Sequence, residues 1–127
     1  MPKRAIETPK AKAVGPYSMA IEAGDYVYLS GQTPMDPATG KLVQADIGAE
    51  SKQCLETLKN VLEAAELTFA HVVKANVFLT NMGDFAAMNA VYATYFPAPF
   101  PARSTVAVAA LPLGARVEIE LVAYRGK

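Results

Sequence analysis

"ARVEIELVAY", residues 115–124, alternates apolar and acidic side chains through its centre. Apolar residues take the odd positions from 117 to 123, and Glu118 and Glu120 lie between them. Because successive side chains of a strand point to opposite faces, this pattern predicts a strand with one face in the core. Its other face then carries two carboxylates, so we expect helices to cover the apolar face alone.

The segments before this strand predict four further strands and two helices. Runs rich in β-branched and aromatic residues indicate strands at 17–23, 26–31, 71–79 and 104–109. Apolar residues at helical spacing predict a helix over 47–67, and its stripe places Cys54 in the core. A second apolar stripe follows Asp84, which can cap that helix, and prolines 97, 99 and 101 end it.

These elements follow the order β-β-α-β-α-β-β. Helices that return to the sheet favour a two-layer α+β domain with both helices on one face. At 127 residues the chain has the length of one domain, which we expect to span residues 1–127.

Arg103 is the only charged residue among the 31 that separate Asp84 from Arg116. If Val106 faces the core, the alternation of side chains along the strand places Arg103 and Thr105 on the uncovered face, together with Glu118 and Glu120. The partner of Arg103 is then an acid across the sheet or a bound ligand, and the residues leave both open. If "ALPLG" (110–114) closes a hairpin, Glu120 lies nearer to Arg103 than Glu118 does.

Composition narrows the classes of function. Apolar residues make up 52% of the chain, and 12 basic residues balance 12 acidic ones. This neutral balance does not favour nucleic acid as a partner, and the apolar surplus is typical of a subunit interface. One histidine and one cysteine make no zinc pattern and no internal disulfide. With no secretory signal and no apolar run of membrane-spanning length, we expect a cytoplasmic protein.

Five segments of this sequence together resemble one family. They are "GPYS" at 15–18, "YLSGQTPMDPATGKLV" at 28–43, the residues around Asn89, "PARSTV" at 101–106 and "LPLGARVEIE" at 111–120. In this order they resemble the YjgF family of reactive intermediate (imine/enamine) deaminases, also labelled the L-PSP endoribonuclease family. The resemblance implies a chorismate-mutase-like fold with a mixed β-sheet, a homotrimer and three ligand clefts between subunits.

The resemblance also implies roles for individual residues. Arg103 matches the arginine that grips a ligand carboxylate, to which a planar guanidinium offers two parallel donors. Glu118 matches an acid that positions or activates water, and Gly31 a place where the backbone approaches the ligand closely. The remaining matches are polar cleft residues, and Thr105 among them stands where many members have cysteine: Tyr17, Ser30, Asn89 and Thr105.

The implied reaction is hydrolysis of reactive enamines and imines, such as 2-aminoacrylate, to 2-keto acids and ammonia, without a metal or an organic cofactor. One alternative is an endoribonuclease acting on single-stranded RNA, which a single histidine and zero net charge do not favour. The other is a trimeric module that binds a carboxylate metabolite without turnover. Such a sensor would keep Arg103 and have no need of Glu118.

Overall fold

Within residues 2–11 and 13–126, the computed structural model contains eight β-strands and two α-helices. Short 3-10 turns at 69–71, 82–84 and 112–114 connect some of them. In chain order the elements are β1 (Arg4–Ile6), β2 (Ala20–Ala23), β3 (Tyr26–Gln32), β4 (Met35–Asp36), β5 (Lys41–Leu42), α1 (Ile47–Ala64), β6 (Val72–Leu79), α2 (Phe85–Tyr92), β7 (Ala102–Ala107) and β8 (Val117–Tyr124).

Six strands form one mixed sheet in the order β1-β2-β3-β8-β6-β7. Strands β6 and β7 run parallel, and the other neighbours are antiparallel. Strands β4 and β5 make a separate small hairpin. The predicted α+β fold with a mixed sheet and two helices is confirmed. The predicted order lacks β1, β4 and β5, because strands of two or three residues are too short to show alternation.

Helix α1 covers the centre of the sheet. Its N-cap is Asp46, whose carboxylate accepts a hydrogen bond from the Ala49 amide at 2.8 Å. Its apolar stripe packs on β3 and β8, and Cys54 lies fully buried within it. The prediction that Cys54 lies in the core is thereby confirmed, and burial is the main cause that raises the pKa of its thiol.

Helix α2 packs beside α1 on the same face of the sheet. Asp84 occupies its N-cap position as predicted, but the Asp84 side chain makes no capping hydrogen bond. The capping side chain lies three residues earlier, where Asn81 accepts from the Gly83 amide at 2.8 Å. Asn81 thereby starts a 3-10 turn that leads into α2, so the helical segment begins before the residue that the apolar pattern indicated.

Strands β7 and β8 do not form a hairpin, since β6 lies between them. The parallel pairing of β6 with β7 leaves β7 at the edge of the sheet, and "ALPLG" belongs to a connection that crosses β6. The hairpin expectation follows from the usual adjacency of consecutive strands, which here gives way to the parallel pair. The expectation that Glu120 lies nearer to Arg103 than Glu118 does depended on this hairpin and therefore does not apply.

The predicted face of Arg103 and Thr105 is also wrong. The register sets Arg103 opposite Ala75 and Thr105 opposite Val77, both of which are fully buried under the helices. Residues directly opposite one another share a face, so Arg103 and Thr105 point toward the helix layer. The apolar Val106 points to the open face and is 47% exposed. The prediction from side-chain alternation failed because it took the valine of this edge strand to face the core.

In the part of the chain that the structure describes, neither α-helix is long and apolar enough to cross a membrane.

Candidate functional site

Two separate cavities contain six of the seven residues that the sequence marks as candidates. The acidic cavity, about 390 Å³, has these residues in its wall: Val14, Tyr17, Ser30, Gly31, Gln32, Thr33, Met35, Pro112, Leu113, Glu118 and Glu120. The arginine cavity, about 290 Å³, is smaller and is enclosed by Asn89, Tyr92, Ala93, Phe100, Pro101 and Arg103.

A β-bulge in β3 shapes the acidic cavity. Ser30 and Gly31 together stand opposite the single residue Glu120 of β8. The Ser30 hydroxyl donates to the Ser18 carbonyl at 2.6 Å, which fixes the bulge to the preceding segment. Gly31 then lies against Glu118, and a Cβ added at Gly31 would collide with carboxylate oxygen Oε2 and lie 3.0 Å from Cδ. Only glycine permits this approach without displacing the carboxylate.

The two carboxylates of this cavity differ in their surroundings. Partial burial, with the charge of Glu120 as the second cause, raises the pKa of Glu118 above its ordinary value. Glu120 accepts a hydrogen bond from Asn76 Nδ2 at 3.0 Å, across the pairing of β6 with β8. Glu118 thus holds a proton more readily than an ordinary carboxyl does, which suits a group that takes and returns a proton.

The rim of the acidic cavity combines an aromatic and an aliphatic side chain. The Tyr17 hydroxyl accepts a hydrogen bond from the Val14 amide at 3.3 Å, and the residue as a whole is 43% exposed. Leu113 has a left-handed backbone with φ of 62° and an exposed side chain. A non-glycine residue in this conformation is strained, and strain of this kind gathers at ligand-binding sites.

In the arginine cavity, aromatic rings support the guanidinium. The Cζ atom of Arg103 lies 4.7 Å from the ring centroid of Tyr92 and 5.6 Å from that of Phe85. Among residues 2–11 and 13–126, the Arg103 side chain makes no ion pair or hydrogen bond with another side chain. Its N–H donors therefore remain available to a ligand or a second chain.

The other candidates on this side of the sheet are Asn89 and Thr105. Asn89 lies on α2, one helical turn after Phe85 and one before Tyr92, so the three residues share a face of the helix. Thr105 is outside the walls of both cavities, on the same face of β7 as Arg103. Its hydroxyl is buried and has no partner in the described part of the chain.

The structure therefore divides the predicted site residues into two groups. The acidic cavity contains Tyr17, Ser30, Gly31 and Glu118, and the arginine cavity contains Asn89 and Arg103. Within one chain the sheet separates the two groups, since Glu118 points to the open face and Arg103 to the helix face.

Sequence reasoning missed four neighbours of these residues, namely Asn76, Phe85, Tyr92 and Leu113. The spacing of Phe85 and Tyr92 around Asn89 is the one signal that could have linked two of them to the site. Asn76 and Leu113 have no such signal, because their positions depend on strand register and on a turn.

Metal ligation has no visible basis here. Over the residues that the structure describes, no three histidine, cysteine, aspartate or glutamate side chains gather into a metal-binding group. The one histidine, His71, instead caps its own 3-10 turn, with Nδ1 3.1 Å from the Thr68 amide, and lines neither cavity.

Comparisons with known proteins agree with the fold and with the motifs. A family model described as Endoribonuclease L-PSP matches residues 7–125, so the chain belongs to this family. A Capra hircus protein named 2-iminobutanoate/2-iminopropanoate deaminase is 49% identical over 125 residues, which are 98% of this chain and 91% of the relative.

Two solved structures show the same fold. The structure of RidA from Psychrobacter sp. aligns with a TM-score of 0.92 and 45% identity, covering 95% of this chain and 98% of that one. The yjgF gene product of E. coli aligns with a TM-score of 0.91 and 41% identity, covering 97% and 99%. The resemblance to the YjgF family is thereby confirmed.

Proposed function

We propose that this protein is a hydrolase that deaminates reactive imines and enamines, of the 2-iminobutanoate/2-iminopropanoate deaminase type. The observation that carries the proposal is the Arg103 guanidinium, which lies in a cavity of about 290 Å³ and whose donors are taken by no other side chain of residues 2–11 and 13–126. Such an arginine suits a ligand with a carboxylate, because the planar guanidinium can donate two parallel hydrogen bonds to it. Relatives at 46–49% identity that carry the deaminase name support the same chemistry.

The reaction needs little more than positioning. With the substrate carboxylate on Arg103, a water beside Glu118 adds to the carbon of the C=N bond, and Glu118 takes the water's proton. Glu118 returns that proton to the nitrogen, which gives a carbinolamine. The hydroxyl proton of the carbinolamine then passes to the amino nitrogen as the C–N bond breaks, so the products are a 2-keto acid and ammonia. Orientation of the two reactants supplies most of the acceleration, and a positioned carboxylate adds roughly 10²–10⁴-fold. No metal or organic cofactor enters these steps.

The complete site requires two copies of the chain. Arg103 and Glu118 lie on opposite faces of one sheet, so one chain does not present both to a small substrate. We propose a homotrimer in which the arginine cavity of one subunit meets the acidic cavity of the next. In this arrangement Asn89 joins Arg103 on one side of the substrate, and Tyr17, Ser30 and Gly31 join Glu118 on the other.

Exposed apolar side chains support this assembly. On the open face of the sheet, Tyr26, Tyr28 and Tyr124 form an aromatic group, with ring centroids 6.4 and 5.1 Å apart. Val106 is exposed on the same face at the far edge of the sheet, and the three neighbouring tyrosines are each more than a third exposed. Contiguous apolar surface of this kind is typical of a protein interface.

A buried free thiol and the absence of any other cysteine fit a reducing compartment, and we propose a cytoplasmic location.

The hypothesis of a ribonuclease has less support. The family description contains the word endoribonuclease. However, the larger cavity carries two carboxylates, which repel a phosphate backbone, and His71 lies in neither cavity.

The deciding experiment is keto-acid release from imines generated in situ, with purified protein and with Arg103→Ala and Glu118→Gln. We expect wild-type protein to accelerate release, Arg103→Ala to abolish the acceleration with the trimer intact, and Glu118→Gln to bind a keto acid without turnover. An active Arg103→Ala protein would contradict the carboxylate assignment. Wild-type protein that binds the keto acid without turnover would support the sensor.

A further inference from the structure

The rings of Phe85 and Tyr92 form an aromatic support beneath Arg103. Tyr92 provides the nearer face, with its ring centroid 4.7 Å from the guanidinium carbon, and Phe85 the second at 5.6 Å. Both distances fall within the range of about 6 Å in which a ring attracts a cation over its face. These two contacts take the place of the acidic partner that a half-buried arginine usually has.

The choice of rings in place of a carboxylate matters for ligand binding. A carboxylate partner would occupy the N–H donors of the guanidinium and compete with an incoming carboxylate. An aromatic ring instead contacts the flat face of the guanidinium and leaves its in-plane donors free. The ring thus fixes the cation while the edge that recognises a carboxylate stays open.

Tyr92 is itself held firmly. Its ring stacks on Phe96 with centroids 4.4 Å apart, and Phe96 lies edge-on against Phe69 at 5.0 Å. The Tyr92 residue is only 5% exposed, and its hydroxyl is buried with no partner among the described residues. Burial raises the pKa of the Tyr92 phenol, so the side chain is neutral. The position of the Tyr92 side chain is therefore set by the packing of its ring and not by a hydrogen bond of its hydroxyl.

We propose that Tyr92 is a positioning residue for carboxylate recognition, because its ring face holds the Arg103 guanidinium in the orientation that binds the substrate. The proposal rests on the proposed function in one respect, the assignment of Arg103 to the substrate carboxylate. It predicts that the ring of Tyr92 is required and that its hydroxyl is not.

Three variants of the full chain test this. Tyr92→Phe keeps the ring and removes the hydroxyl, and Tyr92→Leu removes the ring. Tyr95→Leu is the matched control, since Tyr95 also packs against Phe69, at 5.4 Å, but lies outside the two ring contacts of Arg103.

The first measurement is the NMR signal of the Arg103 Nε–H group, identified by its loss in Arg103→Lys. The ring current of Tyr92 should shift the signal upfield in wild type, in Tyr92→Phe and in Tyr95→Leu. In Tyr92→Leu most of the shift should be lost, leaving the smaller part that the more distant Phe85 ring contributes, while the rest of the spectrum stays that of a folded protein. This readout needs no ligand and no turnover.

The second measurement is KM for an imine generated in situ, together with the Kd of 2-oxobutanoate as a carboxylate probe. Since a cation–π contact contributes more when it is desolvated, we expect Tyr92→Leu to raise KM and Kd by about tenfold. We expect kcat to change much less than KM, and Tyr92→Phe to retain the low KM.

An unshifted wild-type signal, or wild-type KM and Kd in Tyr92→Leu, would overturn the proposal. Loss of the upfield shift and of affinity in Tyr92→Phe would overturn it too, because the hydroxyl would then be the group that holds Arg103. A shifted wild-type signal in a protein that neither binds 2-oxobutanoate nor turns over imines would overturn the proposed function, and with it the role in carboxylate recognition, while the contact itself stands.

Discussion

Gly31→Ala is the substitution whose effect follows most directly from the geometry of the acidic cavity. The added Cβ collides with Oε2 of Glu118, the outer end of a flexible side chain, and lies 3.0 Å from Cδ and 3.2 Å from Cγ. The carboxylate must therefore shift by roughly 1 Å, and a misplacement of that size in a catalytic group can cost about 10²-fold in rate.

The free energy of unfolding should change little. A less favourable Glu118 rotamer costs about 1 kcal/mol, and replacing a strand glycine by alanine returns about 0.5–1 kcal/mol. We therefore expect a stability within about 1 kcal/mol of wild type, together with a loss of roughly 10² in kcat/KM, or about 2.7 kcal/mol of transition-state stabilisation. Keto-acid release and urea denaturation measure the two quantities on the same preparation.

Two comparisons make this result interpretable. In Gly15→Ala the added Cβ meets the Tyr17 ring at an ordinary distance of 3.4 Å, so activity should persist. In a Glu118→Ala background, Gly31→Ala should alter the residual rate by less than about twofold, since no carboxylate is left to displace. An equal loss in both backgrounds, or a Gly31→Ala protein with wild-type activity, would refute the reasoning.

Two further substitutions test the electrostatics. Glu120→Gln removes the like charge that helps to raise the pKa of Glu118, so the acid limb of the kcat/KM pH profile should move to lower pH; an unmoved limb would show that burial alone sets this pKa. Arg116→Ala leaves the buried Glu50 without the guanidinium that contacts it at 2.6 Å and should lower the free energy of unfolding by about 1–3 kcal/mol, measured by urea denaturation. Arg4→Ala, in a more exposed pair, should lower it by clearly less in the same measurement.

The sequence predicts those parts of the fold whose pattern is long enough to be unambiguous. The alternation in β8 and the apolar stripe of α1 each extend over many residues, and both elements form where expected. The place of β7 could not be predicted in this way. Its pairing with β6 is a long-range parallel contact, and the residues of an edge strand do not show which of its faces is covered.

The same limit applies to the candidate site. The sequence marks Arg103 by its isolation and Glu118 by its motif, but the face of Arg103 depends on the register of β7 against β6. Phe85 and Tyr92 look like ordinary core residues of an apolar helix stripe. Their contact with Arg103 becomes visible only when α2 is placed on the sheet.

The central claim is that Arg103 of one subunit and Glu118 of the next complete a single site. The most direct test mixes Arg103→Ala and Glu118→Gln protomers, each inactive alone, by unfolding and refolding them together at equal concentration. In a ring of three heterologous contacts, every mixed trimer has one cleft with both native residues, so about a quarter of wild-type activity should return. No recovery in mixed trimers would contradict the claim, because a site built within one chain would lack one of the two residues in every protomer.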